Sequence, residues 1–110
     1  EPNINLELLH KTYIGTPHIA GYSADGKANA SQVALDAFCE FFHLSSNYNI
    51  SPPSPTDSYI QGRTEADCLL EIYNPMQDND RLKANPSQFE FLRGNYPLRR
   101  EKKAYTIELL

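Results

Sequence analysis

Apolar positions fall into short, separate stretches whose spacing changes along the chain. Asn5 precedes Leu6, Leu8 and Leu9; its side-chain oxygen can accept from the first free amides of a helix, so a short helical turn is predicted there. Tyr13 and Ile14 favour extended backbone, Gly15 punctuates, and Pro17 lacks an amide donor, so a strand is predicted to end close to His18. Ser23 or Asp25 can cap a long helix over residues 24 to 43. In it Gln32, Asp36, Glu40 and His43 form a polar stripe, while Val33, Ala34, Ala37, Phe38, Phe41 and Phe42 cover most of the remaining surface. A helix so broadly apolar expects partners on several sides.

The pattern breaks after residue 44. Residues 45–57, "SSNYNISPPSPTD", set Pro52, Pro53 and Pro55 among small polar residues, which favours extended, semi-rigid backbone and reads as a linker. Ala66 to Tyr73 is mostly apolar and suits a buried strand or a short helix; strand is the expectation, ended by Asn74-Pro75. "PMQDNDRLKAN" predicts a short helix. "NPSQFEFLRGNY" predicts a second, with Pro86 in its first turn and Phe89 and Leu92 three apart. "KAYTIELL" closes as an alternating strand with Tyr105, Ile107 and Leu109 on one side. The expected fold class is α+β, with residues 58–110 a small module.

Composition narrows the function classes. The chain has 110 residues, 40% of them hydrophobic and 22% charged, about one domain's worth and too apolar for a disordered chain. Net charge is −4, and the ten Lys and Arg residues form no long basic face, so no nucleic-acid partner is expected. Arg99, Arg100, Lys102 and Lys103, with Arg93 nearby, are the one basic cluster; it could bind an anion, but a solvated face is the expectation. Cys39 and Cys68 lack a C-x-x-C spacing, which recommends neither a zinc site nor a disulfide framework and fits a reducing cytoplasm. No apolar run approaches the ~18 residues of a membrane helix, so no membrane partner is expected. The first residues, Glu1-Pro2-Asn3 with no methionine, read as a cut from a longer chain.

One histidine carries candidate chemistry. Alone, His18 near an apolar run is read more readily as a hydrogen-bonded structural residue than as a catalyst. Its surroundings are more specific. "TPHIAGYS" ahead of a helix resembles the catalytic histidine segment of the D-2-hydroxyacid dehydrogenases, where it ends a Rossmann-type nucleotide-binding domain. "EP" at residues 1 and 2, "NLELL", "IGTPHIAGYS", "GKA" and Gln32-Val33 resemble the branch of that family that oxidises 4-phosphoerythronate for pyridoxal phosphate biosynthesis. "LRGNYPLRRE", residues 92 to 101, is similar to part of that branch's extra C-terminal domain. Residues 1–44 match well, the tail matches at one island, and residues 45–85 match loosely.

The resemblance implies a role for each matching residue. His18 falls on the acid-base position and Glu1 on its acidic partner, for which the bland reading is an exposed terminal carboxylate. Gly21 falls on a position that touches NAD, and Tyr22 on one that touches substrate. A turn into the helix would equally use Gly21, and helix-entry packing would equally use Tyr22. Oxidising a 2-hydroxy acid needs a base for the hydroxyl proton while hydride leaves the same carbon, and imidazole suits that work.

The resemblance also implies a homodimer built through the C-terminal module and a small phosphorylated 2-hydroxy acid as substrate; no metal is expected. No G-x-G-x-x-G follows a strand here and no arginine site for a substrate carboxylate is recognisable, so the NAD core and catalytic arginine are expected before Glu1. The chain is expected to be inactive alone and to stop short of its family's tail. The expected division is residues 1–44 as the end of the catalytic body with its return helix, 45–57 as linker, and 58–110 as dimerisation domain. The alternatives are a non-catalytic dimerisation or interaction module, or a D-2-hydroxyacid dehydrogenase with another substrate.

Overall fold

The computed structural model describes residues 1–110. Helix α1, Leu6–Lys11, starts where Asn5 Oδ1 accepts from Leu8 N at 2.9 Å. The strand expected at Tyr13 and Ile14 does not form: these residues pass through bends, and Tyr13 is 85% exposed. A strand needs a neighbour for its amides and carbonyls, and the one sheet, between Tyr59–Gly62 and Thr106–Leu109, offers none here; side chains hold the segment at a few points instead. Lys83 Nζ donates to the carbonyls of Thr12 and Tyr13, and the Gly15 amide donates to Asn79 Oδ1 at 3.0 Å.

Helix α2, Ala24–Phe41, is capped by Ser23, whose Oγ accepts from Gly26 N at 2.9 Å. It stops because His43 adopts a φ of 54°, which lets Leu44 N reach Cys39 O and His43 N reach Glu40 O. Much of its apolar surface is bare: Val33, Phe38, Phe41 and Phe42 are all more than half exposed. The three phenylalanines pack on one another, with Phe42 centred 4.7 Å from Phe38 and 4.9 Å from Phe41. Part of the polar stripe holds the following segment. Gln32 donates to Tyr48 O and accepts from Ile50 N, and residues 45–57 carry no helix or strand.

Strand β1, Tyr59–Gly62, is followed by helix α3, Glu65–Ile72. The strand expected over Ala66 to Tyr73 is therefore a helix, and β1 lies just before it. Thr64 decides the outcome through a reciprocal cap: Asp67 N donates to Thr64 Oγ1 and Thr64 N to Asp67 Oδ2, both at 3.1 Å. Gly62 allows α3 to approach, because a Cβ there would lie 2.7 Å from Sγ of the fully buried Cys68. Helix α4, Pro75–Ala84, a single 3-10 turn at Pro86–Gln88, and helix α5, Phe89–Gly94, follow as three short helical pieces. Strand β2, Thr106–Leu109, closes the chain and pairs parallel to β1, with Tyr59 opposite Thr106 and Gly62 opposite Leu109.

The architecture is thus α+β, with one two-stranded sheet. Its main apolar cluster joins the two ends of the sequence: Leu9 of α1 meets Leu82 of α4 and Phe89 of α5, with Ile4 and Leu92 against them. Residues 4–15 are thereby held against α4 and α5.

Candidate functional site

His18 sits between two buried anchors, Pro17 and Ile19. Its φ is 56°, in the left-handed region that few non-glycine residues enter. That conformation turns the imidazole outward while its neighbours point in. The His18 side chain is 61% exposed, and the Glu1 side chain, 45% exposed, meets it: Nδ1 donates to Glu1 Oε2 at 2.8 Å. The bond holds the Glu1 carboxyl below the usual carboxylate range, so Glu1 is ionised at neutral pH and can only accept. Nδ1 therefore carries the proton, and the lone pair of the neutral ring lies on Nε2.

The basic cluster of the tail, expected to be a solvated face, is largely tied down. Arg99 Nη2 donates to the carbonyls of Ile19 and Ala20, each at 3.0 Å, and its guanidinium lies 4.3 Å over the Tyr73 ring. Arg100 forks onto Asp25, Nε to Oδ2 at 2.8 Å and Nη2 to Oδ1 at 3.2 Å. Glu101 N also donates to Asp25 Oδ2, Ser23 Oγ donates to Glu101, and Ala24 N donates to Arg99 O. Arg100 and Glu101 together pull the Asp25 carboxyl down to about 2. Lys102 pairs with Glu65, and Lys103 approaches Asp25 at 3.5 Å. A short basic run is solvated when nothing opposes it; here one buried carboxylate and the open carbonyls after His18 do.

Gly21 and Tyr22 lie on the same turn. A Cβ at Gly21 would meet nothing within 4 Å, and no glycine in the chain has a positive φ, so the turn itself does not require glycine. Tyr22 is half-buried, edge-on to Tyr96 with ring centroids 6.0 Å apart. Lys27 Nζ lies 4.3 Å from its ring centroid and Arg93 Cζ 5.6 Å. Tyr96 in turn donates to Asp78 at 2.7 Å, and burial together with that bond pushes its hydroxyl pKa well up. No three or more His, Cys, Asp or Glu side chains converge as a metal site, and Cys39 and Cys68 are free and buried.

Asp25, Arg99 and Arg100 are the residues that sequence reasoning left out of the site. The one signal for them was the tail island itself, in which "RRE" stands beside "NYP".

Residues 55–110 match the family model described as a domain of unknown function, DUF3410. The chain belongs to the DUF3410 family. Over 97% of its length it is also similar to curated erythronate-4-phosphate dehydrogenases, at 60% identity to that of Bacteroides thetaiotaomicron and 42% to that of Coxiella burnetii. A Bacteroides fragilis relative of the same name is 56% identical over the same share. This DUF3410 chain spans about 31% of the length of its Bacteroides relatives. The match to them runs through residues 45–85 as well, where the motif resemblance is loose. No helix of the chain is long and apolar enough to cross a membrane.

Proposed function

We propose that this chain supplies the acid-base pair, the return helix and an added module of an NAD-dependent dehydrogenase. Its substrate is 4-phospho-D-erythronate, oxidised to the 2-oxo acid in pyridoxal 5'-phosphate biosynthesis. The observation that carries the reading is the 2.8 Å bond between His18 and Glu1, on a loop similar to that of enzymes bearing the matching name.

The chemistry follows from the tautomer. NAD, when bound, supplies the hydride acceptor. His18 takes the substrate hydroxyl proton at Nε2, which bonds to no other group of the chain. The imidazolium that forms has its positive charge beside the Glu1 carboxylate, which favours it by opposite charge and by hydrogen bonding. Gly21 leaves the open space that a flat nicotinamide ring requires. Tyr22, at the edge of the same turn, is the substrate contact in this reading, with the charges of Lys27 and Arg93 beside its ring.

Residues 1–44 belong in this reading to the end of a Rossmann-type catalytic body, residues 45–57 link, and residues 58–110 form the module through which two subunits pair. Exposed Leu70, Phe91, Leu98 and Leu109 support an apolar interface there. The test is an assay of the intact enzyme with NAD, comparing 4-phosphoerythronate with unphosphorylated 2-hydroxy acids by NADH absorbance. A clear kcat/KM preference for the phosphorylated substrate is expected; equal or faster oxidation of the unphosphorylated acids would contradict the assignment.

A further inference from the structure

We propose that Arg99 is a positioning residue for the acid-base pair, holding the backbone that presents His18 to Glu1. The proposal rests on the reading of those two residues given above.

The geometry points to Arg99 in four ways. First, its Nη2 reaches the carbonyls of Ile19 and Ala20, the two that follow His18, at 3.0 Å each. Second, its plane is fixed: the guanidinium stacks 4.3 Å over Tyr73, lies 5.5 Å from the Tyr96 ring, and places Nη1 3.4 Å from the Tyr96 hydroxyl. An ammonium offers neither the plane nor the fork, so lysine is a poor replacement. Third, Arg99 is itself anchored to the helix that follows the loop, because its carbonyl accepts from Ala24 N at 2.8 Å. The next two residues extend that anchor by fixing Asp25 through the Arg100 side chain and the Glu101 amide. Fourth, Arg99 forms no ion pair, so its charge is directed at the two loop carbonyls.

The loop needs such a hold. A non-glycine residue at a φ of 56° persists when the surrounding structure over-determines it. On the N-terminal side of His18, Gly15 is bonded to Asn79 and Pro17 is buried. On the C-terminal side Ile19 is buried, and Arg99 bonds the carbonyls. Without Arg99 those two carbonyls lose their charged donor, and the segment can rotate His18 away from Glu1.

The test uses the intact enzyme with Arg99→Ala and Arg99→Lys. A displaced acid-base group costs on the order of 10-fold to 100-fold in kcat, so both variants are expected to lose turnover on that scale with KM for NAD and for the hydroxy acid little changed. Added ethylguanidinium is expected to restore part of the turnover of Arg99→Ala and none of that of His18→Asn. Carbon-13 NMR of the Glu1 carboxyl gives a readout that needs no turnover: in both variants its titration should return toward the ordinary carboxylate range. Should the wild-type enzyme fail to oxidise 4-phosphoerythronate, the functional reading falls and the Glu1 titration still decides the role of Arg99. Unchanged kcat with an unchanged Glu1 titration, or a loss confined to KM, would overturn the proposal. So would a kcat loss that guanidinium does not relieve while Glu1 titrates as in the wild type.

Discussion

Arg100 reaches Asp25 across 75 positions of sequence and grips it with a forked ion pair in which the carboxylate is 1% exposed and the guanidinium side chain 11%. The pair fastens the tail to the first turn of α2, immediately after the turn that carries His18, Gly21 and Tyr22. Removing one member of such a pair leaves the other charge buried without a counterpart. Asp25→Ala is therefore expected to lower stability by about 3 kcal/mol, measured by urea unfolding of the intact enzyme.

The same pair sets an acid limit. Asp25 titrates at about 2 in the folded protein against roughly 3.9 when unfolded. A depressed folded pKa gives stability that is fully present above the unfolded value and is lost as pH falls through the folded one. Wild-type stability should drop between about pH 4 and pH 2 more steeply than that of Asp25→Asn, as read by unfolding at fixed urea. Parallel curves would assign the acid sensitivity to other carboxylates.

At Gly62 the space for a side chain is already taken by Cys68 Sγ, 2.7 Å from where a Cβ would sit. Gly62→Ala should destabilise by about 1–3 kcal/mol, the usual cost of overpacking. Adding Cys68→Ala should recover part of the loss, since neighbouring changes of this kind are not additive. A double variant no more stable than Gly62→Ala would show that the strain lies elsewhere.

Glu1→Gln separates charge from hydrogen bonding. Glutamine can still accept from Nδ1 but offers no charge to balance the imidazolium. Turnover should fall, and in the reduction direction, where the imidazolium donates, the pH optimum should move toward acid. The comparison is a pair of pH-rate profiles; superimposable curves would argue that Glu1 has no part in the reaction.

Much of the local structure was legible from side chains acting on their own neighbours. Asn5, Ser23 and Pro86 each mark a helical start that the structure contains, and "AYTIELL" contains strand β2. The misreadings share a physical cause. Tyr13 and Ile14 have the propensity for a strand, but no strand runs beside them, and the segment is held instead by Lys83 at the Thr12 and Tyr13 carbonyls and by Asn79 at the Gly15 amide, from about 70 residues away. "ADCLLEIY" is ambiguous in apolar content, and the reciprocal bonds of Thr64 with Asp67 decide for helix. Arg99 and Arg100 look like a solvated run until the fold brings Asp25 and the Ile19 and Ala20 carbonyls beneath them. His18 and Glu1 were marked by resemblance to a family, and no spacing within the chain singles out Glu1.

Self-association is the next expectation. Leu70 is 52% exposed and Phe91 61%, and neither belongs to the apolar cluster of Leu9, Leu82 and Phe89. Leu70→Asp and Phe91→Asp in the intact enzyme should weaken the dimer at micromolar concentration, as read by light scattering, while far-UV circular dichroism is preserved. Two fully dimeric variants would move the interface away from residues 58–110.

The most direct test of the account is the turnover of the intact enzyme with His18→Asn, followed by NADH formation from 4-phosphoerythronate, with NAD affinity measured alongside. Loss of a general acid-base group is expected to lower kcat by about 10²–10⁴-fold with NAD affinity essentially unchanged. A variant that turns over at nearly the wild-type rate would contradict the account and leave His18 a structural residue of its loop.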